Sequence, residues 1–119
     1  MAPQPRPDPY QSARAIQDQR QQYFEEWLNK ADDAEKAFLA CVPQYVRAHR
    51  SAPLSATELS LAAVSACHEP LDNFRKAEFA ARSIIGSGAD ASAEADRSVT
   101  QVTDAAKGIA IRMVAEAIP

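Results

Sequence analysis

The chain has 119 residues with 13 basic and 16 acidic side chains, a net charge of −3 that gives no long-range pull toward a nucleic-acid backbone, and a length suited to one domain. Of its 46% hydrophobic content, 25 residues are alanine, so the core is expected to be thin. Only 3 glycines are present and β-branched residues nowhere alternate with polar ones, so strands have little to build on; Ala, Glu, Gln, Lys, Arg and Leu favour helix instead.

Four prolines at positions 3, 5, 7 and 9 exclude helix and favour an extended tail over residues 1–9. A helical pattern starts at Tyr10. Ile16, Tyr23, Trp27, Ala31, Ala34, Phe38, Val42 and Tyr45 recur mostly at steps of three or four, and Phe24, Leu28, Leu39 and Val46 widen the stripe. This predicts one long helix over about 10–50. Glu26 with Lys30 and Asp32 with Lys36 place acid four residues before base on its outer face. Pro43 removes one backbone donor, but the stripe resumes in phase at Tyr45 and Val46, so a kink is expected and not an end.

Ser51–Ser55 breaks the pattern, and Ser55 with Glu58 has the Ser-x-x-Glu spacing of a capping box. A second helix over 56–85 follows, with Leu59, Ala63, Cys67, Leu71, Phe74, Ala77 or Ala81, and Ile84 or Ile85 on its apolar face, and Pro70 as a kink or break. Gly86-Ser87-Gly88 stops it. A third helix, over about 91–117, carries Ala95, Val99, Val102, Ala106, Ile109 and Met113 in a heptad-like seam. Ile111, Val114 and Ile118 lie off that seam. They are expected to bury against the first hairpin, and the third helix is also the candidate surface for self-association. The fold class is therefore all-α: a three-helix bundle, or a long helical hairpin plus a third helix, with a Pro-rich tail and a single helical domain over 10–119.

The two cysteines sit on opposite arms of the predicted hairpin, and the midpoint of 41 and 67 is 54, inside the turn. Residues equidistant from a turn lie at one height in an antiparallel hairpin, so Cys41 and Cys67 should face each other and form a disulfide. Such a bridge suits an oxidising compartment, whereas two buried thiols would suit the cytosol. No secretory leader is legible at the start, and no run reaches the roughly 18–20 apolar residues of a membrane span.

Searches for chemistry return little. His68 beside Cys67 diverges from it by about 100° on a helix, which argues against a shared metal or an activated thiolate. Phosphate-loop, HExxH, GxSxG and CxxC motifs are missing, so neither enzyme nor cofactor is expected. Tyr10, Tyr23, Phe24, Trp27 and Phe38 gather five of the eight aromatics in the first 38 residues. Arg47, His49 and Arg50 form a small basic patch near the first turn, with Arg75 and Lys76 as candidate additions.

The expected function is a non-catalytic protein–protein interaction or structural accessory subunit, of a bacterial envelope or a larger assembly, with an extracytoplasmic location and Tyr23, Phe24, Trp27, Arg47 and Arg50 as the partner-binding residues. The rival reading is a small acidic cytoplasmic inhibitor or regulator, for example of phage origin, acting through the acidic face of the first helix.

Overall fold

The computed structural model describes residues 9–116, with side chains from Tyr10 onward. The expected extended segment over residues 1–8, and Ile118, lie outside the described residues. Among the described residues the fold is all-α, with α1 (Pro9–Ala48), α2 (Ala56–Ala66), α3 (His68–Ile85) and α4 (Gly88–Glu116). α1 ascends, α2 and α3 form one broken descending arm, and α4 ascends again along both while also touching α1. The radius of gyration is 21.2 Å, against about 13 Å for a compact domain of this length. The bundle is a rod.

Each departure from the expected boundaries has a local cause. α1 starts at Pro9, not Tyr10, because the first-turn amides have no intrahelical acceptor and proline's fixed φ suits that turn. α1 also passes unbroken through Pro43. Val42 and Val46 on either side are fully buried, and burial of roughly 1.5–3 kcal/mol each offsets the ~3 kcal/mol of an interior proline.

The second arm is two helices. Its break falls at Cys67 (φ −97°, ψ 25°), three residues before Pro70. In a continuous helix the Pro70 ring would crowd the Ala66 carbonyl and leave it without a donor. As the third residue of a new helix Pro70 meets neither conflict. α2 opens as expected on Ser55, whose Oγ accepts the Glu58 amide at 3.1 Å.

α4 begins at Gly88, three residues earlier than expected, because Ser87 Oγ accepts the Asp90 amide at 3.1 Å and caps the new helix. Gly86 ends α3 in an extended conformation (φ −148°, ψ −175°) and not in a left-handed one. The turn there follows from the capping serine.

The core takes Ala31, Phe38, Val42 and Val46 from α1, Leu59 and Ala63 from α2, Cys67 from the break, Phe74 and Ala77 from α3, and Val102, Ala106 and Ala110 from α4. Eight of the fifteen buried hydrophobic residues are alanines, so close backbone approach replaces side-chain bulk. On α4 the buried stripe steps from Ala106 to Ala110, not to Ile109. It follows the 3.6-residue period of a straight helix, not a strict heptad. Val114 packs against the core, while Ile111 remains 41% exposed.

Between α3 and α4, Arg75 Nε donates to Asp96 Oδ1 at 2.9 Å, an exposed contact across the two helices. The Cys41 and Cys67 sulfurs stand at disulfide distance, with their Cα atoms 6.0 Å apart. This bridge ties the break between α2 and α3 to the middle of α1.

Closing a loop of 26 residues should contribute about 3 kcal/mol by restricting the unfolded chain. Cys67→Ser is therefore expected to lower the urea-unfolding free energy by about that amount. Reductant should bring the wild-type curve down to the variant's, and superimposable curves for oxidised and reduced wild type would show that the bridge contributes nothing.

Candidate functional site

α1 outlasts the helices beside it. α3 stops at Ile85 and α4 starts at Gly88, and the last tie to α1 there is Arg20, whose Nη2 donates to the Ile84 carbonyl at 3.0 Å. That contact satisfies one of the unbonded carbonyls at the α3 C-terminus and places a cation at its negative pole. Every residue from Tyr10 to Tyr23 is exposed. At 1.5 Å per residue, the segment before Arg20 projects about 15 Å beyond the bundle.

Where the overhang leaves the bundle there is an open notch of about 530 Å³, lined by Gln17, Asp18, Arg20, Gln21, Phe24, Ile84 and Ile85. Its apolar floor arises because the core stripes of α1 and α3 continue in phase past the point where the other arms end. Phe24 and Ile84 are half-buried and Ile85 is 65% exposed.

The five residues read as partner-binding fall into two places. Tyr23, Phe24 and Trp27 lie near the overhang; Arg47 and Arg50 lie at the other end of α1, about 35 Å away by helix rise, and so form no single surface with them. Within the first group the side chains differ in role. Tyr23 is 49% exposed and accepts a hydrogen bond from Gln19 Nε2 at 3.2 Å. Phe24 floors the notch. Trp27 packs against the core and carries the Lys30 ammonium 4.1 Å above its ring, beside a groove of about 300 Å³ that also holds Asn73 and Lys76.

At the far end, Arg47 and Arg50 are exposed and His49 stacks on Tyr45 with ring centroids 3.9 Å apart. Arg75 does not join this patch, being committed to Asp96 and Ser92. Lys76 borders the Trp27 groove instead.

Two of the acids on the outer face of α1 are paired within the helix. Glu26 meets Lys30 at 3.5 Å and Asp32 meets Lys36 at 2.8 Å, and the Asp32 hydrogen bond, followed by its charge, raises the Lys36 pKa. His68 Nδ1 donates to the Ser65 carbonyl at 3.1 Å, while Cys67 is bonded to Cys41. Among the described residues no group of three His, Cys, Asp or Glu converges to hold a metal ion, and no helix is long and apolar enough to cross a membrane.

The fold and this end site define an all-α helical bundle with an overhanging first helix. No family model, no curated protein and no solved structure matches the chain.

Sequence periodicity puts Ile84 or Ile85 on the apolar face of the second helix; in the structure Ile84 is half-buried and Ile85 is exposed. The missing signal was arithmetic: the hairpin pairing that sets 41 opposite 67 also sets Ile85 opposite Tyr23, with 13 helical residues still to come before it. Trp27 and Tyr23 should accordingly separate in stability measurements. Trp27→Ala is expected to cost about 2 kcal/mol in chemical denaturation, and Tyr23→Ala less than about 0.5 kcal/mol; equal losses would mean that Tyr23 is also a packing residue.

Proposed function

We propose that this protein is a non-catalytic interaction module, an accessory or structural subunit of an extracytoplasmic assembly such as a bacterial envelope, that docks to protein through the free end of α1. One observation carries the reading: a helical segment with exposed Tyr10 (81%), Ile16 (58%) and Tyr23 (49%) stands outside the bundle that folds the rest of the chain. Rigid aromatic residues on a pre-formed helix give large contact area at small entropic cost, which is what hot spots at protein interfaces use. The extracytoplasmic location is supported by the bridge between Cys41 and Cys67, since such bonds persist in oxidising compartments. The acidic-inhibitor reading has less behind it, because Glu26 and Asp32 already face lysines of their own helix.

A photo-crosslinking amino acid placed at Tyr10, in protein expressed in its natural host, is expected to yield one discrete protein adduct. The same group at the exposed Thr100 on α4 should yield none. Identical ladders from both positions, or no adduct from Tyr10, would remove the docking assignment.

A further inference from the structure

We infer that the groove beside Trp27 receives an acidic segment of the partner protein. Carboxylates of that segment sit between Lys30 and Lys76, and an apolar side chain next to them lies on the groove floor. That the partner is a protein rests on the docking reading above. Trp27, Lys30, Asn73, Lys76 and Ala77 line an open groove of about 300 Å³ between α1 and α3, a size at the low end for a bound group. Trp27 is half-buried and Ala77 is buried, so the floor is apolar. Every charge on the rim is positive. The two neighbouring clefts mix signs instead: the notch has Asp18 with Arg20, and a third cleft, beside Gly86, has Arg82 with Asp90 and Glu94.

The polar groups around the groove are donors that the fold leaves unspent. Among the described residues Lys76 makes no ion pair, and neither the Trp27 indole N–H nor the Asn73 side chain makes a hydrogen bond. Lys30 meets Glu26 at 3.5 Å and holds its ammonium 4.1 Å over the Trp27 ring. Two ammonium groups, an indole N–H and an amide around an apolar floor suit a ligand that accepts hydrogen bonds, carries negative charge and has an apolar flank. Glutamate or aspartate beside a bulky apolar residue has all three. Inorganic phosphate brings the charge but nothing for the floor. Two lysines on a chain of net charge −3 are too few to hold a nucleic-acid backbone. The groove also continues the exposed side of the overhang. Ile16, Tyr23, Trp27 and Lys30 follow one another at steps of seven, four and three, which keeps them on one line of α1. Ile16 and Tyr23 are 58% and 49% exposed, so a segment lying along that line runs into the groove.

Trp27 is the only tryptophan of the chain, so its emission reads the groove directly. The oxidised full chain is titrated at low ionic strength, by fluorescence and by calorimetry, with three probes: a capped hexapeptide alternating glutamate and leucine, its glutamine counterpart, and inorganic phosphate. The glutamate peptide should bind saturably and shift the emission, with the other two at least about ten-fold weaker. Lys76→Glu should weaken the peptide at least about ten-fold by setting a carboxylate against it. Arg112→Glu, the same charge change at an exposed residue of α4, should leave it within about two-fold. Far-UV circular dichroism verifies that both variants keep their helicity. Equal binding of the glutamate and glutamine peptides overturns the inference, as does phosphate binding as tightly as the peptide, an equal loss in the two variants, or no binding by either method. If the Tyr10 position still crosslinks to a protein under those outcomes, the docking reading stands without the groove. If the peptide binds as expected while Tyr10 crosslinks to nothing, the groove keeps its preference for acidic segments and the overhang loses its docking role.

Discussion

Cys67 carries three constraints at one point of the chain. It ends α2, it precedes the first turn of α3, and its sulfur is joined to Cys41 in the middle of α1. The arrangement follows from Pro70, which forbids a continuous second arm and so leaves α2 with 11 residues. Isolated helices that short are marginal in water because nucleation is costly and few bonds repay it. Docking α2 on α1 and α4 supplies part of what it lacks, through Leu59 and Ala63. The bridge supplies the rest by fixing the position of the break relative to α1. Moving the break would misalign the capping by Ser55 and the register of α4 along both halves of the arm.

A core with alanine at most of its buried positions gains less per residue than one built of leucine, since each alanine hides a single methyl group. What alanine permits is close approach along the whole length of a helix, and that favours long parallel contacts over a compact globule. The rod shape and the thin core are two consequences of one compositional choice. The same choice explains why α1 can be longer than its neighbours: with no central mass to wrap around, nothing sets the arms to equal length.

Much of this was legible in the sequence. The 3.6-residue stripe gave the long first helix even through Pro43, the Ser55 cap gave the start of α2, and the midpoint of 41 and 67 gave the cysteine pairing. Three features were missed or misplaced for separable reasons. The start of α4 was put too late because Ser87 was read as part of a glycine turn and not as a cap for Asp90. Pro70 predicts a kink or break without placing it at Cys67, since a proline marks a conflict without saying which side yields. The exposure of Ile85 is not legible because periodicity reports which face a residue occupies and is silent on whether another helix reaches that height. Of the candidate site residues, Tyr23, Phe24 and Trp27 lie near the overhang, while Arg47 and Arg50 lie about 35 Å along the helix from them, a separation that 24 intervening helical steps already imply in the sequence.

The overhang raises the question of why it remains helical where every residue from Tyr10 to Tyr23 is exposed. Propagation from an existing helix needs no new nucleus, and residues 11–22 are mostly glutamine, alanine and arginine, which lose little freedom in a helix. The stripe on this segment is also graded. It is fully apolar at Val46, Val42 and Phe38, mixed at Trp27 and Phe24, and then polar at Gln21, Gln17 and Arg14 before Tyr10 at the tip. A segment apolar throughout would associate with any exposed hydrophobic surface. On the line from Tyr10 to Phe24 the polar Gln21, Gln17 and Arg14 separate two aromatic residues by about 21 Å, while the exposed Ile16 and Tyr23 stand off that line, so the apolar side chains of the overhang are spread around the helix and not gathered in one continuous stripe.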